Sequence, residues 1–101
     1  MITKKIEIEF NGKTEIVELK RLSFGEMNQL TEEATDIKVT GNIPIVKVSQ
    51  KILKEVGLFK SIVSAPFTIS LQEIQNLDPD TGKLLFDEFT ALNQANEKKN
   101  P

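Results

Sequence analysis

The carboxylates are the side chains of this chain whose spacing comes closest to a reactive or metal-binding site. Asp78, Asp80 and Gly82 are similar in order to a calcium-binding loop, in which closely spaced carboxylates before a glycine wrap a hard cation. The glycine falls one position early, and Phe89 stands where the closing bidentate acid belongs. We therefore interpret Asp78 as a helix cap, and we expect neither a metal ion nor a cofactor.

Catalysis by acidic residues meets a similar obstacle. Asp87 and Glu88 are adjacent, and neighbours on a helix diverge by about 100°, so the two cannot flank one substrate bond. The chain contains no His and no Cys, which removes an imidazole that titrates near neutral pH, a thiolate nucleophile and the usual zinc ligands. A hydrolase would have to rely on converging carboxylates, and we predict that the chain is not an enzyme.

The distribution of charge bears on the class of partner. The net charge of -2 would repel a phosphate backbone, so we expect no nucleic-acid partner. Lys47, Lys51 and Lys54 fall at helical spacing, but no aromatic residue lies among them to stack on a base. The sequence leaves open whether this stripe is a docking face for an acidic protein or a solvated helix face.

Size and composition indicate one folded domain. A chain of 101 residues, with 39% hydrophobic and 28% charged residues, can bury a single core. No apolar run approaches the roughly twenty residues that span a bilayer, and the absence of Cys fits a reducing compartment. We expect a soluble cytoplasmic protein with no membrane partner.

An alternation of apolar and charged residues predicts an N-terminal β-hairpin. Asn11 and Gly12 supply the turn, because both tolerate the positive φ that a tight hairpin needs, with a loop of two or four residues. Ile16 then points away from the apolar face. The residues expected on that face are Ile6, Ile8, Val17 and Leu19.

Start signals for helices recur along the rest of the chain. Ser23 and Glu26 can form a capping box, with Leu22 stapled onto Met27. Ser70 to Ile74 repeats this pattern, and Asp78 followed by Pro79 begins the last helix. The first helix should end before Gly41. The apolar positions at helical spacing are Met27, Leu30, Ala34 and Ile37 in the first helix, and Leu85, Phe89 and Leu92 in the last.

The middle of the chain is ambiguous. Apolar residues at helical spacing run from Ile45 to Phe59, and they favour a helix that breaks near Gly57 or Pro66. The β-branched stretch from Ile43 to Val48 makes a short strand the competing interpretation. Whether the segment 39–50 is ordered at all stays open. The predicted fold class is α+β, an N-terminal β-hairpin followed by three or four short helices and mostly helical. The predicted domain spans residues 1–95, with a disordered polar tail over 96–101.

The segment from Leu19 to Glu26 resembles a motif of tail assembly chaperones from tailed bacteriophages and proviruses. That motif reads leucine, two spacers, leucine, Thr or Ser, an aromatic or aliphatic residue, Gly and Glu. The order of elements is also similar, but Met27 stands where the family often has an aromatic residue or leucine. The residues that match the motif are Leu22, Ser23, Gly25 and Glu26.

The resemblance implies a non-enzymatic role in virion assembly. Such chaperones bind the long helical tape-measure protein in the host cell cytoplasm and help tail-tube subunits polymerise around it. Surplus hydrophobic residues could form a groove for an apolar helical face of that partner, although core packing is the alternative. The residues predicted to bind the partner are Phe24, Met27, Leu58, Phe59 and Phe67.

A second function from another class fits the same sequence. The chain could be a small cytosolic regulatory adaptor that binds another protein through a charged or apolar helix face. The sequence admits a homo-oligomer without fixing its form. Lys98 and Lys99 would permit a slippery adenine run and a frameshifted longer product, which only the nucleotide sequence decides.

Overall fold

The chain adopts the predicted α+β class. The structure, a computed structural model, describes residues 2–94, with the backbone alone at residues 38–40. The predicted tail 96–101, including Lys98 and Lys99, lies outside the described residues. In chain order the elements are β1 (Thr3–Phe10), β2 (Lys13–Lys20), α1 (Phe24–Ala34), β3 (Thr35–Thr40), β4 (Ile43–Val48), α2 (Gln50–Ser61), β5 (Ile62–Ser64), α3 (Leu71–Gln75) and α4 (Pro79–Asn93).

The N-terminal hairpin forms as predicted, with the shorter of the two loops. Phe10 lies opposite Lys13, and the two-residue turn holds Asn11 at φ 52° and Gly12 at φ 77°. One face of the hairpin is buried while Ile16 remains 44% exposed on the other face. The buried residues are the four predicted ones, Ile6, Ile8, Val17 and Leu19.

A short third strand completes the first sheet. β5 pairs antiparallel with β2, which gives the strand order β1-β2-β5. The buried Ser61 at the end of α2 donates a hydrogen bond of 2.7 Å from its Oγ to the carbonyl oxygen of Lys20. β5 was not predicted, because three residues are too few to show an alternation of apolar and polar side chains.

The core lies between the inner face of this sheet and the helices. Leu30 of α1, Leu58 of α2, and Leu85 and Phe89 of α4 join the buried residues of the hairpin. The predicted helix starts are present, since Ser23, Ser70 and Asp78 each accept a backbone hydrogen bond as N-caps. Within residues 2–94, no helix is both long enough and apolar enough to cross a membrane.

The prediction for the segment after α1 was wrong. α1 ends at Ala34, and Ile37 lies in β3 instead of the helix. Residues 43–48, where we favoured a helix, form β4, so the competing strand interpretation holds there. β3 and β4 make a separate two-stranded sheet around a turn at Gly41, whose φ is 65°. The β-branched side chains of this stretch favour extended backbone, which overrides their approximate helical spacing.

Of the two predicted break points, the one near Gly57 is wrong, because α2 is continuous there. Gly57 lies inside the helix Gln50–Ser61 and is buried. The helix ends at Ser61, so the chain is already extended before it reaches Pro66. Helix propensity alone disfavours a mid-helix glycine by about 1 kcal/mol, and close packing against Phe89 accounts for Gly57 at this place.

Candidate protein-interaction site

The segment that carries the family resemblance is fixed by hydrogen bonds at both ends. Ser23 Oγ accepts from the backbone N–H of Glu26 at 3.1 Å, and Glu26 Oε1 accepts from the N–H of Ser23 at 2.9 Å. The backbone N–H of Leu22 donates to Asn93 Oδ1 at 2.8 Å, which ties the start of α1 to the end of α4. The motif therefore sets the position of α1 against the last helix.

The charge of the Glu26 carboxylate also stabilises the start of α1. The backbone hydrogen bond from Ser23 and the hydrogen bond from Lys20 Nζ, at 3.2 Å, lower the pKa of Glu26 below its usual value. Both interactions favour the carboxylate form. The negative charge also lies in the first turn of α1, where the helix dipole stabilises an anion.

Two other residues of this segment are not explained by packing. A Cβ placed on Gly25 would meet no atom within 4 Å, and the φ of Gly25 is not positive, so the backbone does not require glycine there. The neighbouring Phe24 is 84% exposed. The chain therefore offers an uncovered aromatic ring and an open patch of backbone at the first turn of α1.

The five residues predicted to bind a partner do not come together in one groove. Leu58 is buried in the core, and Phe67 is buried with its ring 5.6 Å from that of Phe10. Met27 of α1 is partly buried and lines a cavity together with residues of α4. Phe24 and Phe59 are exposed. Hydrophobicity alone cannot separate residues that fill the core from residues left on the surface.

A groove does form between α2, α3 and α4, and Leu58 contributes to its floor. Its volume is about 510 Å³. Leu77 and Phe86 are only partly buried and keep apolar surface open to an incoming side chain. The apolar residues of this groove, which we call the α2–α4 groove, are Leu58, Ile74, Leu77, Pro79 and Phe86.

Charges of both signs surround the α2–α4 groove. Lys54 Nζ lies 5.7 Å from the centre of the Phe86 ring, within the range of a cation–π contact. Lys83 donates to Asp87 Oδ2 at 2.8 Å, and this hydrogen bond raises the pKa of Lys83. An apolar helix ridge flanked by mixed charges would match a groove of this kind.

The basic stripe predicted for one helix is divided between two elements. Lys47 lies on β4, whereas Lys51 and Lys54 lie on α2. Since Lys54 also packs over Phe86, the three lysines do not form one uniform docking face.

The second hairpin, which we call the arm (residues 35–48), exposes aliphatic side chains. Ile37 is 63% exposed and its cross-strand neighbour Val46 is 58% exposed. Ile43, Ile45 and Val48 are exposed as well. Helical spacing favoured helices for this part of the chain, although the run from Ile43 to Val48 carries the β-branched residues typical of a strand.

An acidic cleft of about 640 Å³ lies between the first hairpin and the start of α4, and its lining includes Glu7, Glu9, Asp78 and Asp80. Asp78 Oδ2 accepts the backbone N–H of Asp80 at 3.1 Å, so it serves as the predicted helix cap. Over residues 2–94, no three acidic side chains are placed to hold a metal ion together.

The chain matches no family model, no curated protein and no solved structure in comparisons with known proteins.

Proposed function

We propose that this chain is a non-enzymatic tail assembly chaperone of viral or proviral origin. It binds a tape-measure protein in the host cytoplasm and assists polymerisation of the tail tube. The resemblance of residues 19–26 to the family motif suggests this function. The observation that carries it is the α2–α4 groove, an open groove with five apolar residues in its lining.

The α2–α4 groove suits a helical client. A tape-measure protein that waits for its tube exposes apolar helix faces, and such faces aggregate unless another surface covers them. The exposed parts of Leu77 and Phe86 would accept apolar side chains spaced three or four residues apart on one helix. Lys54 and Glu55 of α2, with Lys83 and Asp87 of α4, would meet the polar flanks of that helix.

The test is co-expression with the long helix-rich protein encoded next to this gene, followed by affinity capture. A Gly82→Leu variant blocks the groove, because Gly82 lines it and a Cβ there meets no atom within 4 Å. The variant should stay folded, since leucine is a better helix former than glycine. We expect the wild type to capture and solubilise the long protein, and Gly82→Leu to lose most of that capture.

The matched control is Ala91→Leu, which adds a leucine to an exposed position of the same helix outside the groove lining. It should capture the long protein as well as the wild type does. Equal capture by wild type and Gly82→Leu would show that the client binds elsewhere, and Phe24→Ser would then test the first turn of α1. If the wild type captures no long helical protein, the chaperone proposal fails and the regulatory adaptor replaces it.

A further inference from the structure

The arm is a two-stranded ribbon with no core of its own. Its contacts with the body are concentrated at the end of α1, and aliphatic side chains are exposed on both of its faces. Ile37 and Val46 share one face, whereas Ile43 and Ile45 lie on the other. An isolated two-stranded hairpin is marginally stable in water, so a third strand at its edge would stabilise it.

The hydrogen-bond pattern identifies which backbone groups are free. The N–H of Ser49 donates to the carbonyl of Ala34 at 2.7 Å, so these two residues form a hydrogen-bonded pair at the root of the arm. Bonded and non-bonded pairs alternate along an antiparallel ladder. The backbone groups that point away from the partner strand therefore belong to Thr35, Ile37 and Val39 on β3 and to Pro44, Val46 and Val48 on β4. Of these, the N–H of Thr35 already donates to the carbonyl of Glu32 in α1.

The two edges of the arm are not equivalent. Pro44 has no N–H to donate, so the edge of β4 is interrupted near the turn. The edge of β3 keeps a free donor and acceptor at Ile37 and Val39, since its one used donor, the N–H of Thr35, lies at the root of the arm. β3 is consequently the open edge for pairing with another strand.

We propose that the occupant of this edge is a second copy of the same chain, paired antiparallel through β3 about a two-fold axis at Ile37. In this register Ile37 lies opposite Ile37 of the second copy, and Asp36 lies opposite Lys38 on both sides of the axis. The outward backbone groups of the two strands then face each other and form about four hydrogen bonds, because the N–H of Thr35 is already bonded to the carbonyl of Glu32.

Charge selects this register over its neighbours. The nearest registers that keep the outward positions face to face differ by two residues. One of them places Asp36 opposite Asp36 of the second copy, and the other places Lys38 opposite Lys38. Opposite charges directly across an antiparallel pair are stabilising and like charges are destabilising, by roughly 0.2–1 kcal/mol per pair. Among these three registers, the charges of β3 are complementary only in the one that places Ile37 opposite Ile37.

The assembled ribbon has four strands in the order β4-β3-β3-β4. Ile37 and Val46 of both copies then form one continuous apolar row across it, since Ile37 and Val46 are already cross-strand neighbours. An interface limited to this edge is smaller than the ~800 Å² per partner of a standard stable complex. The dimer is accordingly weak, reversible and dependent on concentration.

Sedimentation velocity of the full chain over about 10 μM to about 1 mM, at low ionic strength where surface charge pairs are least screened, measures this association. Lys38→Asp and Asp36→Lys each place like charges across the axis, and each should raise the Kd about tenfold or more. An equimolar mixture of the two variants restores both opposite-charge pairs and should recover a dimer. Lys5→Glu, on the free edge of β1, is the matched charge-reversal control and should leave the dimer unchanged.

A second pair of variants tests the edge itself. Ile37→Pro removes an outward N–H of β3, and Val46→Pro removes the equivalent group of β4 from the same cross-strand pair. The dimer should be lost in Ile37→Pro and kept in Val46→Pro. A chain that remains monomeric to about 1 mM overturns the proposal. The proposal is also overturned if Lys5→Glu disrupts the dimer, or if both proline variants leave the dimer intact. None of these readouts depends on the proposed chaperone function.

Discussion

Gly57 of α2 lies directly against the ring of Phe89 in α4. A Cβ built on Gly57 would come within 2.9 Å of Phe89 Cζ and within 3.3 Å of a methyl group of Leu30. Three helices therefore meet at this glycine, and the absence of a side chain allows them to approach. The close packing explains why α2 continues through a residue that disfavours helix.

Substitution of Gly57 by alanine should destabilise the fold by about 1–3 kcal/mol, because the buried Phe89 ring must shift to admit a methyl group. This cost exceeds the gain in helix propensity of about 1 kcal/mol. Urea unfolding at neutral pH measures the change. Gly82→Ala is the control, since its Cβ meets open space, and it should raise stability by roughly 0.5–1 kcal/mol. An equal gain in stability in Gly57→Ala and Gly82→Ala would contradict the close packing of Gly57 against Phe89.

Loss of the Ser61 hydroxyl should lower the free energy of unfolding by about 1–2 kcal/mol. Ser61 is fully buried, and its Oγ donates to the carbonyl of Lys20 at 2.7 Å, which joins the end of α2 to the end of β2. Ser61→Ala removes this hydrogen bond with little change in volume. Thermal unfolding followed by circular dichroism provides the measurement, and Ser64→Ala, at an exposed position of β5, provides the comparison. An unchanged midpoint in Ser61→Ala would mean that the Lys20 carbonyl finds another donor.

The lowered pKa of Glu26 makes stability depend on pH. Because the folded pKa lies below the ordinary value of about 4.5, the carboxylate contributes its stabilisation fully above that value. The contribution is lost as the pH falls through the lowered pKa. Glu26→Gln should be less stable than the wild type at neutral pH, and the difference in stability should narrow as the pH falls below 4.5 and through the lowered pKa. Urea midpoints at several pH values test this, and a constant difference would assign the effect to packing.

The arm should be dispensable for folding of the rest of the chain. Ala34 and Ser49 are already joined by a backbone hydrogen bond of 2.7 Å, so a two-residue Asn-Gly turn can replace residues 35–48. We expect the shortened chain to keep its helical circular dichroism spectrum and to unfold within a few degrees of the wild type. Its self-association should disappear. A shortened chain that fails to fold would show that the arm supports the core.

Local signals in the sequence determined much of the fold. The turn at Asn11 and Gly12 and the alternation around it identified the first hairpin, because backbone conformation and the two-residue period are local properties. The starts of α1, α3 and α4 were identified from Ser23, Ser70 and Asp78 for the same reason, since an N-cap acts within one turn of helix.

The candidate surfaces were less predictable. Met27, Leu58 and Phe67 are as hydrophobic as the exposed Phe24 and Phe59, and the sequence does not say which of them face the core. Burial depends on contacts between residues far apart in the chain, such as that between Phe10 and Phe67. The α2–α4 groove likewise combines residues from three elements that only tertiary packing brings together.

The sequence by itself determined the α+β class, the first hairpin and the caps, since each follows from interactions over a few residues. Tertiary structure alone decided that α2 passes unbroken through Gly57, and that Leu58 faces the core while Ile37 faces solvent. These choices depend on long-range contacts whose free energies exceed the small differences in local propensity.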